Sequence, residues 1–462
     1  MRFYFHYSFL STAFLLLLAS GCSKGPGEKL FGKNFRMEGI TKELPKLSAE
    51  KFITSKMLGS DYQKSLDTLF DTELVKVETL HLYQNKDSYR PLLDMIRNTK
   101  KYFFMNVLSF TCDNVTEEMV GQLELKAKSG MDIRLIVNTG FSYLSMPCLK
   151  RLRNSGVKIV KARTHSSYFF NDQQELMIGS QSVARMFFLA DGFNSLDRDM
   201  MIYATGPLAS DAYRDFISIW SEHAEKDYDK RADLNYYQEL MKNDYAKKNR
   251  GSSLYTKSAL TPDRYCRFIS ERPNLGVKDI QVLWKELVNI NQKELFFSGV
   301  MVDIGAGDLG HLIKAKSNQG MSVHYLGNSF QSGNGELSMV IDEWMANIRK
   351  GSFSFIAPAL EKFNQWDKTR LALKNQKLYD ALKSNASISV WGYFNFIHYK
   401  VWLFDHPGFF IGSANLDEAK FGEISDAGIY CMDAGIHQEL KQMLERDKMN
   451  SMLYQPAIEV KK

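Results

Sequence analysis

From about residue 74 onward, apolar runs of strand length alternate with stretches whose apolar residues recur at helical spacing. Residues 91–101 are amphipathic, 102–108 are almost wholly apolar, and 115–129 are helical in pattern. Residues 132–137 (DIRLIV) and 157–160 (VKIV) have the dense, β-branched character of buried strands. Such alternation predicts an α/β sheet. Over residues 227–273 the pattern breaks into mixed charge and frequent tyrosine, with Arg250-Gly251-Ser252-Ser253 as a loop signal.

The earlier order then returns. Residues 277–292 are helical, 294–302 strand-like and 308–317 helical again, and GMSVHYL at 320–326 resembles GMDIRLI at 130–136. Recurrence of this kind predicts a duplicated chain. The expected fold class is α/β, with two similar halves related by a pseudo-two-fold, each a mixed sheet flanked by helices. The expected organisation is a first half over 74–228, a linker over 229–270 and a second half over 271–462.

Composition adds little to that picture. The 462 residues are 44% hydrophobic, 24% charged and contain only 10 Pro, which excludes fibrous and mainly disordered chains. A net charge of +6, with acids and bases interleaved, suits an anionic substrate or membrane surface without demonstrating either.

The first residues change the picture more. Met1 and Arg2 give a positive end, residues 9–18 are apolar, and Ala19, Ser20 and Gly21 lead to Cys22. The run is too short to span a bilayer and reads as a signal peptide over 1–21. Small residues before Cys22 look like a bacterial lipoprotein cleavage box, although Ala19 holds the usual leucine place and Leu18 lies one position earlier. Plain signal cleavage is the alternative. Lipidated Cys22 would begin a tether and N-terminal segment over 22–73. Ser23 favours the outer membrane, so the expectation is an exported cell-envelope lipoprotein at the periplasmic face. Cys112, Cys148, Cys266 and Cys431 match no metal spacing. They could pair in an oxidising compartment, and are otherwise expected as core residues.

The chemistry lies in a repeated constellation. His398, Lys400, Asp405, Gly412, Ser413 and Asn415 in the second half answer His165, Ser167, Asp172, Gly179, Ser180 and Ser182 in the first. The differences 398 − 165, 405 − 172, 412 − 179 and 413 − 180 are each 233. Asp426 with Ile429-Tyr430 follows Asp199 with Ile202-Tyr203 at an offset of 227. On a strand, His398 and Lys400 share a face, as Ser413 and Asn415 do on a return strand over 409–411. Two such hairpins could set His165 and His398 opposite each other across a cleft.

H-x-K-x4-D followed by G-S-x-N, complete once and echoed once, resembles the phospholipase D superfamily and is similar to its cardiolipin synthases. The resemblance covers most of the chain after residue 74, apart from the linker. It implies phosphodiester cleavage without a metal or other cofactor, one His attacking phosphorus and the other protonating the leaving oxygen. His165, His398, Lys400, Asp426 and Asp199 are then the catalytic candidates, the two Asp orienting imidazoles. Lys400, Ser180, Ser413 and Asn415 would bind phosphoryl oxygens, while Asp172 and Asp405 support their hairpins.

The first motif departs from the pattern, with Ser167 in place of Lys and Ser182 in place of Asn. Losing one preorganised charge costs roughly 3–4 kcal/mol of transition-state stabilisation. Arg163, two residues before His165, or Arg185 are candidates to compensate. His81, His223, His311, His324, His406 and His437 show no ligand spacing. Gly305, Gly307 and Gly310 spell G-x-G-x-x-G but lack the acid that fingerprint needs about 20 residues on. Residues 186–189 (MFFL) read as core, or as an apolar rim beside the site.

The leading expectation is a membrane-anchored, monomeric phosphodiesterase or phosphatidyltransferase acting on phospholipids through a phosphohistidine. Nucleic acid is not expected as a partner, because no basic patch with interleaved aromatics is present. A nuclease of the same superfamily, and a non-catalytic phospholipid-binding lipoprotein, are the alternatives.

Overall fold

Two mixed sheets, built in the same strand order, lie at the centre of the computed structural model. It describes residues 58–70, 72–141, 145–188, 198–224, 228–242, 244–256, 260–300, 302–303, 308–328, 387–417 and 424–454, with a few isolated residues between 358 and 369. The signal peptide, Cys22, the tether up to residue 57, Gly305 and Gly307 lie outside them.

The first sheet runs Thr79–Gln84, Met200–Thr205, Glu175–Gly179, Tyr168–Asn171, Tyr102–Val107, Asp132–Asn138, Lys158–Ala162. Seven strands of the second match it place for place: Tyr265–Arg272, Asp426–Met432, Gly408–Gly412, Lys400–Leu403, Glu294–Gly299, Ser322–Asn328, Ile388–Tyr393. Within each of these sets of seven strands the last two pairings are parallel and the others antiparallel. The apolar stretches read from the sequence therefore become strands at matching places.

Strands such as Tyr102–Val107 and Gly408–Gly412 are buried along their whole length, because both faces of each sheet are covered. Between the sheets lies one shared core. It joins Tyr168, Phe170 and Ile178 of the first to Phe268, Val401 and Ile411 of the second. Helices Leu208–His223 and Ala434–Met449 contribute Phe216, Trp220, Leu440 and Leu444 to it. Helices Tyr89–Asn98 and Glu117–Lys128 cover the outer face of the first sheet, with Leu93, Ile96 and Leu123 fully buried. Helix Asp279–Ile290 covers that of the second, where Trp284 stacks on Trp402 at 4.5 Å between ring centroids. The shared core matters for function, because it fixes one half against the other.

The structure corrects three expectations. Residues 229–270 are not merely a linker: they hold helices Lys230–Lys242 and Asp244–Lys248, and strand Tyr265–Arg272 belongs to the second sheet. The N-terminal segment is structured at its end, where helix Ser60–Leu69 buries Tyr62 and Leu66 in the second half's outer core. Val75–Lys76, at the expected start of the first half, also pairs with Tyr265–Arg272. These elements are short or mixed in polarity, so their partners, almost 200 residues away, cannot be read from local pattern. Third, the cysteines are bonded, Cys112 to Cys148 and Cys266 to Cys431, and all but the half-buried Cys112 are buried. Cys266 and Cys431 are direct cross-strand partners, a relation hidden by their 165-residue separation.

Candidate active site

Each His lies just before a strand of one sheet and is held by a residue of the other half. An isolated parallel bridge joins Thr164 to Ser425, and a second joins Arg198 to Ile397. The two are equivalent, since 164 + 233 = 397 and 425 − 227 = 198. Within them the Ser425 carbonyl accepts the His165 amide at 2.7 Å, and the Arg198 carbonyl accepts that of His398 at 2.8 Å. The backbones before the two His and the two Asp are thus clasped reciprocally.

The side chains cross in the same way. His165 Nδ1 lies 2.8 Å from Asp426 Oδ1, and His398 Nδ1 lies 2.7 Å from Asp199 Oδ2. Each carboxylate orients the imidazole of the opposite half, fixes the tautomer with its proton on Nδ1, and directs Nε2 to chemistry. Both half-sites are therefore composite.

Behind the carboxylates stand the two serines expected to bind phosphate. Ser413 Oγ donates to Asp426 Oδ1 at 2.7 Å, and Ser180 Oγ makes a short bond to Asp199 Oδ1. Each serine thus braces the carboxylate that holds an imidazole of the opposite half, beside the place expected for phosphate. The G-S spacing does not show this contact, which depends on the return of the Asp strand beside each serine.

Lys400 is buried and donates to His398 Nε2 at 2.9 Å. Both residues thus share a face, with the ammonium at the nitrogen where a phosphoryl group would bond. Phe187 and Phe396 flank the His398 ring at 5.3 and 5.7 Å between centroids. Phe187 and Phe188 are accordingly buried, and of residues 186–189 only these two have described side chains.

In the first half the two departures meet in space. Ser167 Oγ lies 3.4 Å from Ser182 Oγ, and both residues are buried. Ser182 keeps one duty of its counterpart: its Oγ accepts the Ser109 amide, as Asn415 Oδ1 accepts that of Val300. At the position where the second half has Lys400, the first has the uncharged Ser167.

Arg163 does not lie on a continuous strand with His165, as strand Lys158–Ala162 ends before it and the next begins at Tyr168. It is exposed and lines a shallow surface pocket with Glu222, His223, Arg272 and Asn274. The backbone amide of Arg185 donates to Asp113. Asp172 and Asp405 brace turns: Asp172 Oδ1 accepts the amides of Lys100, Lys101 and Tyr102, and Asp405 Oδ2 those of Gln292 and Lys293.

Sequence reasoning missed Asn138 and Asn328. Asn138 Nδ2 donates to the Thr164 carbonyl at 2.6 Å, and Asn328 Nδ2 to that of Ile397 at 3.0 Å, just before each His. A signal existed, because GMDIRLIVN and GMSVHYLGN both end in Asn two residues past the compared segments.

Residues 300–448 match the family model described as the PLD-like domain of cardiolipin synthase. No curated protein matches the chain. Among solved structures it is similar to phosphatidylserine synthase of Haemophilus influenzae Rd KW20. That match has TM-score 0.57 and 11% identity, over 87% of this chain and 93% of that one. Weaker overlaps are found with polyphosphate kinase from Porphyromonas gingivalis (TM-score 0.47, 12% identity, 82% of this chain and 53% of that one). The phospholipase D family member Nuc from Salmonella typhimurium gives TM-score 0.28 and 13% identity, over 41% of this chain and 98% of that one. Residues 300–448 thus resemble a PLD-like domain, and the two mixed α/β halves share the fold of that synthase structure.

Proposed function

We propose that this protein is a phospholipid phosphodiesterase or phosphatidyltransferase working through a phosphohistidine. The observation that carries this reading is the crossed pair of carboxylate-held imidazoles, His165 on Asp426 and His398 on Asp199. An imidazole with its Nδ1 proton on a carboxylate presents a lone pair or an acidic proton at Nε2, as attack and proton donation require.

Lys400 supports His398 as the nucleophile. A donor on His398 Nε2 requires the neutral ring, and the same ammonium would meet the phosphoryl oxygens as negative charge grows on them. In the first step His398 Nε2 bonds to phosphorus, the ester P–O bond breaks, and the leaving oxygen takes the Nε2 proton of the His165 imidazolium. In the second step His165 Nε2 removes a proton from water or an alcohol, whose oxygen attacks phosphorus. The P–N bond breaks and His398 is restored.

Asn415 is the further phosphate ligand on this reading. An exported, membrane-anchored chain, lipidated at Cys22, brings the cleft to lipid headgroups, and the two disulfides support an oxidising compartment. The test is release or exchange of headgroup from phosphatidylcholine, phosphatidylethanolamine and phosphatidylglycerol vesicles, with His398→Ala as control. Equal turnover by wild type and variant, or none by either, overturns the reading. Ser167 in the place equivalent to Lys400 favours a second reading, a phospholipid-binding protein without turnover. Vesicle binding without product, unchanged in Ser167→Lys, would support it.

A further inference from the structure

Glu271 is a buried acid that the mechanism above does not use. It stands on strand Tyr265–Arg272 directly opposite Asp426 in an antiparallel pair. Opposed residues of such a pair project to the same face with Cβ atoms roughly 4.5–5.5 Å apart. Its Oε1 accepts the Gln281 amide at 2.8 Å, while Oε2 is buried with no hydrogen-bond partner. Asp426 in turn holds His165 and Ser413 on one oxygen. Extending the first sheet's register by one residue from Gln84↔Met200 places Asn85 opposite Asp199. Asn85 Oδ1 accepts the Asp199 amide there at 2.7 Å. The two composite half-sites therefore differ behind their carboxylates: an ionisable acid backs His165, and an amide backs His398.

We propose that Glu271 is a positioning residue for His165, acting through Asp426, and that it couples the first half-site to pH as Asn85 cannot couple the second. The charged groups around Glu271 are Asp426 on one neighbouring strand, Lys278 opposite it on the other, and Asp279 at the start of helix Asp279–Ile290. Burial first, and then the charges of Asp426 and Asp279, push the Glu271 carboxyl up to about 8, against an opposing backbone hydrogen bond and Lys278. Near neutral pH the Asp426–His165 pair thus has an uncharged acid beside it. Above that range a second negative charge forms behind Asp426, which favours the imidazolium of His165. His165 stays able to donate a proton at a pH where an unassisted imidazole would have lost it. This device suits a half-site in which Ser167 replaces the usual lysine.

The proposal rests on His165 being the proton donor, and two experiments separate it from that reading. Ring-nitrogen NMR of His165 in the full chain needs no turnover. A second inflection is expected near the Glu271 midpoint, absent in Glu271→Gln, and a single unchanged titration in both proteins overturns the proposal. Kinetically, the ratio of wild-type to Glu271→Gln kcat/KM is expected to rise between pH 7 and 9.5, roughly tenfold for each pKa unit of coupling. A ratio constant with pH overturns the coupling even if both proteins turn over. If Glu271→Gln fails to fold, the wild-type NMR titration decides alone.

Discussion

Asp426 Oδ1 lies 2.8 Å from His165 Nδ1, although the two residues are 261 positions apart and belong to different halves. Its counterpart joins Asp199 Oδ2 to His398 Nδ1 across 199 positions. Each imidazole takes its Nδ1 carboxylate from the other half, so the paired site requires both sheets docked together.

That crossing predicts an unusual pattern of defects. Asp199→Asn should impair His398 and so slow phosphoenzyme formation, whereas Asp426→Asn should impair His165 and slow proton transfer. By analogy with the tautomer error in serine proteases, each is expected to lower kcat by up to about 10⁴. Rapid-quench measurement of the phosphoenzyme formed from a p-nitrophenyl ester, whose departure needs no proton from His165, separates them. A defect in attack from Asp426→Asn, rather than Asp199→Asn, would contradict the assignment.

The division of labour between the imidazoles is tested by the leaving group. His165→Ala should lower turnover of an alkyl phosphodiester by about 10²–10⁴. A p-nitrophenyl ester, which needs no protonated departure, should still give a burst and a trapped phosphohistidine at His398. Label on His165 in His398→Ala would reverse the roles.

Restoring the first clamp should raise activity. Ser167→Lys with Ser182→Asn returns a cation and its neighbour together, since the two serines touch at 3.4 Å. One recovered preorganised contact corresponds to about 10²–10³-fold in kcat at most. Equal or lower activity in a folded double variant would show that the serine pair serves this protein's own substrate.

Stability should depend on both disulfides. Cys266→Ser with Cys431→Ser removes a covalent tie between adjacent strands of the second sheet, and a loss of about 2–5 kcal/mol is expected in urea unfolding. Reduction of the wild type, which also breaks Cys112–Cys148, should lower stability at least as much.

Glu271 also predicts a pH dependence of folding. Its carboxyl is raised in the native state to about 8 from an ordinary 4.5, so the native state binds more protons across that interval. Its contribution to stability is fully present below about pH 4.5 and is lost as pH rises through about 8. Glu271→Gln should remove that component. Thermal unfolding at pH 5, 7 and 9 checks it, and parallel pH curves for wild type and variant would refute it.

Much of this was legible in the chain. Local periodicity set the strands at 102–107, 132–138 and 322–328, because a buried strand needs apolar residues whatever packs on it. The shared offset of 233 singled out the duplicated motif and its histidines, because duplicated chemistry leaves equal spacings. Motif spacing also put Lys400 on the side of His398, since residues two apart share a face.

Other features existed only in three dimensions. Which Asp serves which His depends on two sheets meeting through a common core, and no local pattern encodes a partner more than 190 residues away. Pairing of the cysteines, the place of Tyr265–Arg272 in the second sheet, and Glu271 beside Asp426 are of the same kind. Sequence determined which groups the protein has and how they are spaced along each strand. Tertiary structure decided which of them meet, because contacts between halves follow from long-range packing.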